Sequence, residues 1–398
     1  MSKLEGNRIV RVLQIIASSN PKSGGVIEGV LQTSRLMREF DVQSEIVCFD
    51  PPNSDWLDLL DVKTYALGRL TDIYEYAPAA IPWLRQHVRK YDAVIVNGLW
   101  NYSARAAYVV LRECHVPYFV FPHGMMDPWF RKNYPLKHCV KQLLWFFSEG
   151  PLLANANAVL FTTDEERRLA RGEFFCQKYR EFVVGYGTTR PSHIESLDGN
   201  SFHRRLPALG SRRFLLFLGR IHPKKGCDLL LSAFASLSDE YRDVDLVIAG
   251  PDQVGLQNEL MQMAEARGIA DRIHWPGVLL GDAKWEVYRA ADAFILPSHQ
   301  ENFGIVVAEA LACDTPVLIT NKVNIWREVQ ASGAGLVDDD DEAGIARLLR
   351  TYLELPSEQV HAMRSAARRC FDTHFDARSV SRTLVDMISE AVAACRKS

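Results

Sequence analysis

The chain has 398 residues, of which 47% are hydrophobic and 24% are charged. This composition is that of a folded globular protein, and the length exceeds what one hydrophobic core usually supports, so we expect two domains. The formal net charge of −3 excludes the basic footprint of a nucleic-acid-binding protein.

The cysteines and the apolar segments indicate where the protein works. The eight cysteines are scattered without a CxxC or other metal-ligand spacing, so we expect reduced core residues of a cytoplasmic protein. The N-terminal segment MSKLEGNRIVRVLQII lacks the uninterrupted apolar core of a signal peptide. No stretch approaches the roughly 18 apolar residues of a membrane span. The sequence therefore predicts neither secretion nor a membrane span.

The first predicted strand covers residues 8–16 and leads into the turn Asn20-Pro21-Lys22-Ser23-Gly24-Gly25. A helix is predicted next, over residues 26–37. A strand, a glycine turn and a helix in this order let the backbone approach a phosphate group closely. A plain turn is the alternative, since Gly24-Gly25 is not the dinucleotide-binding motif GxGxxG.

Short apolar runs continue to alternate with helical stretches over the first half of the chain. Because strands buried on both faces alternate with helices, the pattern predicts an α/β fold with a doubly wound parallel sheet. The further predicted strands of this half are residues 44–49, 93–97, 118–121, 158–162 and 181–184.

A histidine follows the strand 118–121, in the run PHGMMDPW that begins at Pro122. Ligands bind at this edge of an open parallel sheet, and Gly124 permits the tight backbone path that exposes the imidazole of His123. The ring can donate a hydrogen bond to a sugar hydroxyl, or act on a developing positive centre through the local charge. A purely structural histidine is the alternative. We give Asp127 no catalytic role, because Asp-Pro is common as a turn.

Residues 129–153 mix basic residues with large apolar ones, as in WFRKNYPLKHCVKQLLWFF. A basic amphipathic segment can lie on an anionic membrane surface, which suits a lipid-linked acceptor. The alternative is an amphipathic helix packed on its own domain.

Residues 187–211 lack periodicity and are rich in Gly, Pro, Ser and charge, which predicts the connector between two domains. The second domain begins with a strand at 214–218, followed by the loop GRIHPKKG. Its Arg220 and Lys225 come from a loop at the carboxyl edge of a sheet, where cations can neutralise a diphosphate leaving group. A solvated basic turn is the alternative.

The later strands are predicted at residues 245–250, 272–277 and 335–337. The acidic run DDDDE over residues 338–342 follows the last of these and precedes a helix. Because acidic residues favour a helix N-terminus, we interpret this run as capping residues rather than as a metal site. The chain is predicted to end in an amphipathic helix over Val380–Cys395.

The stretch AFILPSHQENFGIVVAEALACDTPVLITN, residues 293–321, predicts a strand, a loop, a helix and a second strand. The helix opens at Gly304, and the N–H groups of residues 303–306 are the unpaired donors of a helix start, which suit a phosphate. Glu301 in the loop and Glu309 on the helix can accept hydrogen bonds from sugar hydroxyls if the chain between them folds back. Alternatively, both acids only favour the helix N-terminus electrostatically.

Three motifs are also similar to those of one enzyme family. ENFGIVVAE resembles the E-x7-E element of retaining glycosyltransferases of family 4, FLGRIHPKKG resembles their GR-x4-KG element, and PHGMMDPW resembles a segment of bacterial family members that assemble surface polysaccharides. The resemblance implies the GT-B fold, in which two Rossmann-like doubly wound domains face a central cleft. It is strongest over residues 214–321. The turn Gly185-Tyr186-Gly187 departs from the family, which usually has Asn-Gly-Val there.

The resemblance also implies residue roles. In the family, the first glutamate of the motif, here Glu301, contacts the hydroxyls of the donor sugar, and the second, here Glu309, contacts the ribose. The arginine and lysine, here Arg220 and Lys225, bind the diphosphate without a metal, and the histidine, here His123, lines the sugar pocket. We take His123 and Glu301 as the catalytic residues. The implied donor-binding residues are Gly24, Gly25, Arg220, Lys225, Val278 (beside the nucleobase), Glu301, Asn302, Phe303, Gly304, Ile305, Val306 and Glu309.

The resulting hypothesis is a retaining glycosyltransferase of polysaccharide biosynthesis, working in the cytoplasm or at the inner face of the membrane. Its co-substrate is a nucleotide-diphosphate sugar, no metal is required, and the acceptor is a saccharide or a lipid-linked saccharide. We expect an acceptor-binding domain at residues 1–200, a donor-binding domain at 201–375, and a C-terminal helix at 376–398 that crosses back to the first. A nucleotide-sugar epimerase of the same fold and a non-catalytic sugar-nucleotide-binding protein are the alternatives.

Overall fold

The fold is described from a computed structural model, over residues 9–21, 24–176, 178–197 and 201–397. The N-terminal residues 1–8, with the start of the first predicted strand, lie outside the described residues. So do Lys22 and Ser23 of the glycine turn and residues 198–200 of the predicted connector.

In the described part of the first half, seven parallel strands form one sheet in the order β3-β2-β1-β4-β5-β6-β7. The central strands are buried on both faces because they carry continuous apolar runs. The strands are β1 Val10–Ile16, β2 Val42–Cys48, β3 Thr64–Ala66, β4 Ala93–Asn97, β5 Tyr118–Phe121, β6 Ala158–Phe161 and β7 Glu181–Val183.

Six described strands of the second half form another parallel sheet, in the order β10-β9-β8-β11-β12-β13. In both sheets, consecutive strands are joined through helices, so the predicted α/β fold with doubly wound parallel sheets is confirmed. The strands are β8 Arg213–Leu218, β9 Val244–Ala249, β10 Ile273–Gly277, β11 Ala293–Leu296, β12 Val317–Thr320 and β13 Gly335–Asp338.

The helices of the first half lie between its strands, and Trp145–Glu149 is a π-helical turn that joins α5 to α6. They are α1 Gly25–Met37, α2 Ala80–His87, α3 Tyr102–Leu111, α4 Pro128–Asn133, α5 Pro135–Leu144, α6 Gly150–Ala154 and α7 Asp164–Ala170. Those of the second half are α8 Ser201–Arg205, α9 Cys227–Leu237, α10 Gln257–Ala266, α11 Asp282–Ala290, α12 Ile305–Ala312, α13 Trp326–Ser332, α14 Glu342–Leu353, α15 Ser357–Cys370 and α16 Ala377–Lys397. No described helix is both long and apolar enough to span a membrane.

The chain forms two compact units, each with its own sheet. One unit comprises the described residues up to Tyr186 together with those from Ala377 on, and the other comprises Gly187–Asp376. The last helix, α16, belongs to the first unit because its apolar residues pack against that unit's sheet. These residues are Leu384, Val385, Ile388 and Val392.

The described residues of the predicted connector, 187–197 and 201–211, are folded as part of the second unit. The described portion of this segment buries Ile194, Phe202 and Leu209, and Phe202 packs against Phe214 of β8 with 5.5 Å between ring centroids. These apolar side chains are spaced too irregularly to produce a sequence period, which is why the segment resembled a linker.

Each of the eight cysteines falls among the described residues and is a free thiol. Four are buried, but Cys139 and Cys176 are exposed, so the prediction of core cysteines was wrong for these two. Cys139 lies on α5, whose described residues include none that is buried.

Candidate active site

A close contact between two loops organises the candidate site of the second unit. Strands β8 and β11 are neighbours, so the loops that follow them emerge side by side at the carboxyl edge of the sheet. Gly226 has φ +66°, and a Cβ there would lie 2.2 Å from the carbonyl oxygen of Pro297. The His299 N–H also donates to the Lys224 carbonyl oxygen at 2.8 Å. Glycine at 226 therefore lets the loop after β8 lie directly on the loop after β11.

This contact brings together Lys225 and Glu301, which are 76 residues apart in sequence. The Lys225 ammonium forms an ion pair with the Glu301 carboxylate, and the two side chains are 14% and 21% exposed. Burial lowers the pKa of Lys225 to about 8, and the nearby charge of Arg220 acts in the same direction. Arg220 itself is exposed, and its guanidinium donates to Gln253 at 3.3 Å. The loop after β8 thus presents two cations, one partly buried and one at the surface.

The backbone of Glu301 is fixed at the start of α12. Its N–H donates to the Lys322 carbonyl oxygen at 2.9 Å, and its carbonyl oxygen accepts from the Asn324 N–H at 3.1 Å. Gly304 precedes α12 with φ +79°, and a Cβ there would lie 3.3 Å from Cγ of Glu301. The carboxylate, the cation and the N-terminal end of an eight-residue helix are therefore adjacent. The N–H groups of a first helical turn favour an anion.

The second glutamate of the E-x7-E spacing has different partners. Glu309 is buried on α12 and contacts Lys284 Nζ at 2.6 Å, while the Tyr288 hydroxyl donates to it at 3.0 Å. The two glutamates thus belong to separate charge pairs, one with the loop after β8 and one with α11. Val278 lies beyond β10, an edge strand of the sheet, and is exposed.

The acidic run over residues 338–342 caps helix α14 and pairs with neighbouring basic side chains. Asp341 caps α14 by accepting from the Gly344 N–H at 2.7 Å, as the sequence predicted. Asp338 is paired with Arg347, and Asp340 with His299 at 3.0 Å. In the part of the chain that the structure describes, no cluster of three or more His, Cys, Asp or Glu side chains is arranged to hold a metal ion.

In the first unit, His123 lies in a constrained turn at the end of β5. Its φ is +50°, in the left-handed region, and Gly124 follows with φ +75°. The Gly124 N–H donates to Glu166 Oε1 at 2.6 Å, and Glu166 Oε2 accepts from the Thr162 N–H at 2.7 Å. Because Glu166 is buried, this carboxylate holds the turn to the end of β6 and fixes where the imidazole lies.

The imidazole of His123 is part of a chain of hydrogen bonds across three neighbouring strands. Its Nε2 is 3.1 Å from Asn97 Oδ1, and Asn97 Nδ2 donates to Gln14 Oε1 at 2.8 Å. The Asn97 amide nitrogen also faces the Ile15 carbonyl oxygen at 3.5 Å, which fixes the orientation of the amide. Since an amide oxygen only accepts, Nε2 carries the ring proton and Nδ1 presents a lone pair.

One expectation for His123, that it donates a hydrogen bond to a sugar hydroxyl, is thereby corrected. Burial lowers the pKa of the ring to about 4, so the imidazole is neutral at pH 7 and contributes no positive charge. With Nε2–H committed to Asn97, the remaining nitrogen, Nδ1, can accept a hydrogen bond but cannot donate one.

The substitution Asn97→Asp tests this arrangement. A carboxylate at position 97 stabilises the imidazolium, so the pKa of His123 is expected to rise by about 1 to 3 units from its value near 4. Below the raised pKa, Nδ1 is protonated and no longer accepts. The acid limb of kcat/KM against pH is therefore expected to move upward by the same amount. Superimposable profiles of the variant and the wild-type protein would contradict the assigned tautomer.

The glycine turn before α1 has an open backbone face. Gly24 has φ +106°, and a Cβ at Gly24 or Gly25 would meet no described atom within 4 Å. Packing therefore does not require glycine at 25, which is consistent with approach by a ligand. The Tyr186 hydroxyl donates to the Gly25 carbonyl oxygen at 2.7 Å, and Tyr186 packs where a side chain at Gly29 would be.

At the turn Gly185-Tyr186-Gly187, which departs from the family motif, the tyrosine thus packs against α1. Tyr186, Gly29, Asn97 and His123 line the same cavity of the first unit. Within that unit, Tyr186 therefore contacts Gly25 of the glycine turn and lines the same cavity as His123.

Sequence reasoning missed three residues that support the site. Asn97 ends the strand AVIVN, and a polar residue at the end of a buried strand is the same signal that identified His123. Glu166 has the spacing of a capping box after Thr163, but its carboxylate bonds to Gly124 and Thr162 instead of the helix start. Lys284 gave no sequence signal, because it is recognised only through its contact with Glu309.

Comparisons with known proteins identify the family. The model described as "Glycosyl transferases group 1" matches residues 200–370, and the model described as "Glycosyl transferase 4-like domain" matches residues 24–187. Together they cover the second sheet and all strands of the first sheet except β1. The chain belongs to the group 1 glycosyltransferases. The resemblance to family 4 drawn from the three motifs is therefore confirmed.

Individual relatives of this glycosyltransferase are similar over part of their length. A "D-inositol 3-phosphate glycosyltransferase" of Geodermatophilus obscurus is 32% identical over 257 residues, which is 63% of this chain and 55% of the relative. One from Thermomonospora curvata is 36% identical over 253 residues, covering 59% and 58%. The chain spans about half the length of the curated relatives it matches.

Solved structures share the whole fold. A glycosyltransferase from Rickettsia africae has a TM-score of 0.78 at 15% identity and covers 96% of this chain, with 98% of that chain covered. Anabaena HepE, crystallised with UDP-glucose, has a TM-score of 0.74 at 17% identity, covering 96% of this chain and 99% of HepE. At these identities the likeness shows the fold alone, which is GT-B.

Proposed function

We propose that this glycosyltransferase transfers a sugar from a nucleotide-diphosphate sugar to a saccharide or lipid-linked saccharide, with retention of configuration at the anomeric carbon. The observation that carries the proposal is the ion pair between Lys225 and Glu301 beside the N-terminal end of α12.

The donor's covalent structure supports this choice. In a nucleotide-diphosphate sugar, the anomeric carbon is bonded to the terminal phosphate, so a cation for that phosphate and a carboxylate for the sugar hydroxyls must be neighbours. Lys225 and Glu301 are such a pair. Arg220 and the first N–H groups of α12 add further positive potential for the diphosphate. Glu309 has the role of ribose ligand, and we expect the ribose hydroxyls to compete with Lys284 for its carboxylate.

We assign retention to a front-face step in which no side chain acts as a nucleophile. The bond between the anomeric carbon and the phosphate oxygen breaks while the acceptor oxygen bonds to the same face of the sugar, and the acceptor proton passes to the departing diphosphate. His123 is neutral, so it orients a sugar hydroxyl through Nδ1 rather than acting as a nucleophile or acid. Glu301 holds further hydroxyls. The cations and the helix amides offset the charge of the leaving group, so no metal is assigned a role.

Relatives support the substrate class. HepE was crystallised with UDP-glucose, and the curated relatives are named for transfer to inositol 3-phosphate. Polysaccharide biosynthesis at the inner face of the membrane rests on the PHGMMDPW resemblance and on the exposed face of α5. Leu136, Val140 and Leu143 on α5 and Phe147 in the π-helical turn that follows have helical spacing, and each is 60% or more exposed. An apolar helical face without a packing partner among the described residues favours peripheral membrane association over packing on the same domain.

A thermal-shift screen against UDP-, GDP- and ADP-sugars tests the proposed donor, because a ligand that binds the native state raises Tm. One nucleotide class is expected to stabilise the protein, by about 2.7 kcal/mol at 100 times its Kd. The product formed from that donor is then expected to keep the donor's anomeric configuration in its ¹H NMR spectrum. An inverted product, or a free 2-epimer of the sugar nucleotide, would contradict the proposal. Binding without turnover across acceptors would favour the non-catalytic alternative.

A further inference from the structure

A second cavity of the first unit begins two residues after His123. Its wall includes Met125, Met126 and Asp127 of the histidine turn, and the remainder comes from α4, α5 and the loop around Phe174. The segment that carries the catalytic imidazole is therefore also one wall of this cavity. A group bound here would lie beside the turn on which we expect the donor sugar to be oriented.

Aromatic rings form a rigid part of the lining. Phe174 stacks on Trp145 with centroids 4.8 Å apart and on His138 with centroids 4.9 Å apart. Trp145 is fully buried, and its indole N–H donates to the Phe175 carbonyl oxygen at 3.0 Å. These stacks fix Phe174 and His138, which line the cavity together with the rings of Phe130 and Tyr134, and such an aromatic wall suits the apolar face of a sugar ring.

Two lysines on one face of α5 supply positive charge to the cavity. Lys137 and Lys141 are four residues apart, so their side chains are neighbours on the helix. Lys137 Nζ lies 4.9 Å from the ring centroid of Tyr134, and Lys141 Nζ lies 5.0 Å from the centroids of Trp100 and Phe130. Burial lowers the pKa of Lys141, and the charge of Lys137 adds to the effect.

The carboxylates that line the cavity are engaged elsewhere. Asp127 accepts from the Trp129 N–H at 2.7 Å and caps α4, while Glu173 is paired with Arg131 at 3.2 Å. Among the residues that the structure describes, neither Lys137 nor Lys141 has a carboxylate within ion-pair distance. Two like charges at this spacing, one of them half-buried, repel each other in the free protein. An anion bound between them would remove this repulsion.

We infer that this cavity binds the acceptor, and that the acceptor carries a phosphate group held by Lys137 and Lys141, with its sugar ring on the aromatic surface. The inference rests on the proposed function, since it identifies the class of acceptor for that reaction. The phosphate belongs either to a soluble sugar phosphate or to a lipid-linked saccharide. In the second case, the outward face of α5, with Leu136, Val140 and Leu143, meets the bilayer while its inward face holds the phosphate.

The first arm of the test measures binding in solution. ³¹P line broadening of hexose 6-phosphate and of inorganic phosphate is recorded for the wild-type protein, for Lys137→Gln/Lys141→Gln, and for Lys132→Gln. The control removes a positive charge from α4 outside the cavity. Weakening of hexose phosphate binding by at least about 10-fold in the double variant, with the control unchanged, is expected for a soluble acceptor, since a charge-assisted hydrogen bond is lost.

The second arm uses phosphatidylcholine vesicles with and without a polyprenyl phosphate. For a lipid-linked acceptor, co-flotation is expected to require the polyprenyl phosphate and both lysines, and to be lost in Val140→Glu/Leu143→Glu. If neither hexose phosphate nor polyprenyl phosphate binding depends on the two lysines, the inference is wrong. It is equally wrong if flotation depends on the apolar face alone, or if only inorganic phosphate binds.

The donor-induced rise in Tm is measured on every variant. It is expected to be unchanged by the lysine substitutions, which lie in the first unit. If no donor raises the Tm of the wild-type protein, the proposed function itself is wrong. Failure of the proposed function is therefore distinguishable from failure of the acceptor inference. An unaltered Tm of each unliganded variant shows that the fold is retained.

Discussion

Glu301→Gln is expected to lower kcat by at least about 100-fold while nucleoside diphosphate affinity stays unchanged or improves. The amide keeps the shape of the side chain but loses the charge that orients the hydroxyls of the donor sugar. Meanwhile Lys225 is released from its ion pair and remains available to the diphosphate. The measurement is steady-state turnover combined with calorimetric titration of the nucleoside diphosphate.

The matched control for this variant is Glu342→Gln, which removes an exposed carboxylate from the first turn of α14. It is expected to leave kcat and nucleoside diphosphate affinity within twofold of the wild-type values. Turnover of Glu301→Gln near the wild-type value would show that the carboxylate has no role in orienting the sugar. A large loss of nucleoside diphosphate affinity would show that Glu301 acts on the leaving group instead.

Lys225→Ala is expected to weaken nucleoside diphosphate binding by about 10- to 100-fold, the value of a charge-assisted hydrogen bond. The pH dependence makes a sharper test. The ammonium is charged below its pKa and neutral above it, and in the free protein burial lowers this pKa to about 8. Affinity of the wild-type protein is therefore expected to be constant from about pH 7, where the terminal phosphate is mostly ionised, to pH 8, and to fall as the pH rises above 8.

Lys225→Arg is the control for this experiment, because it keeps a positive charge at position 225 that does not titrate. A guanidinium stays protonated across the range, so the affinity of the arginine variant is expected to be independent of pH from about 7 to 10. A wild-type affinity that does not change above pH 8 would contradict the assignment of Lys225 to the diphosphate. The same fall in Lys225→Arg would mean that another group titrates.

The sheets were predictable because their strands are buried on both faces. The runs at 93–97, 118–121, 293–296 and 317–320 coincide with β4, β5, β11 and β12, since a continuous apolar run between turn residues has few other interpretations. Strand β3, Thr64–Ala66, was missed. It is only three residues long, pairs at the edge of the sheet and is half-buried, so its sequence has neither a long apolar run nor a regular alternation.

The candidate site was predictable in outline only. Residues at the carboxyl ends of strands were found by position, which is how His123, Lys225 and Glu301 were selected. Their chemistry depends on partners far away in sequence. The tautomer of His123 is set by Asn97 and, through it, by Gln14, residues that lie on two other strands.

The partners of Glu301 and Glu309 could not be predicted from the sequence either. The sequence placed both at one crevice but gave no partner for either, and the structure pairs Glu301 with Lys225 and Glu309 with Lys284. A contact between two loops pairs Glu301, a contact between α11 and α12 pairs Glu309, and no property of the segment between the two glutamates encodes either contact.

The proposed function depends most on the binding of a diphosphate between Arg220, Lys225 and the N-terminal end of α12. Titration calorimetry of the preferred nucleoside diphosphate and of its monophosphate, on the wild-type protein and on Arg220→Ala/Lys225→Ala, tests this directly. We expect the double variant to lose at least about 100-fold in diphosphate affinity and little in monophosphate affinity, because the proposal assigns these cations to the terminal phosphate. Equal losses for both nucleotides, or none for either, would contradict it.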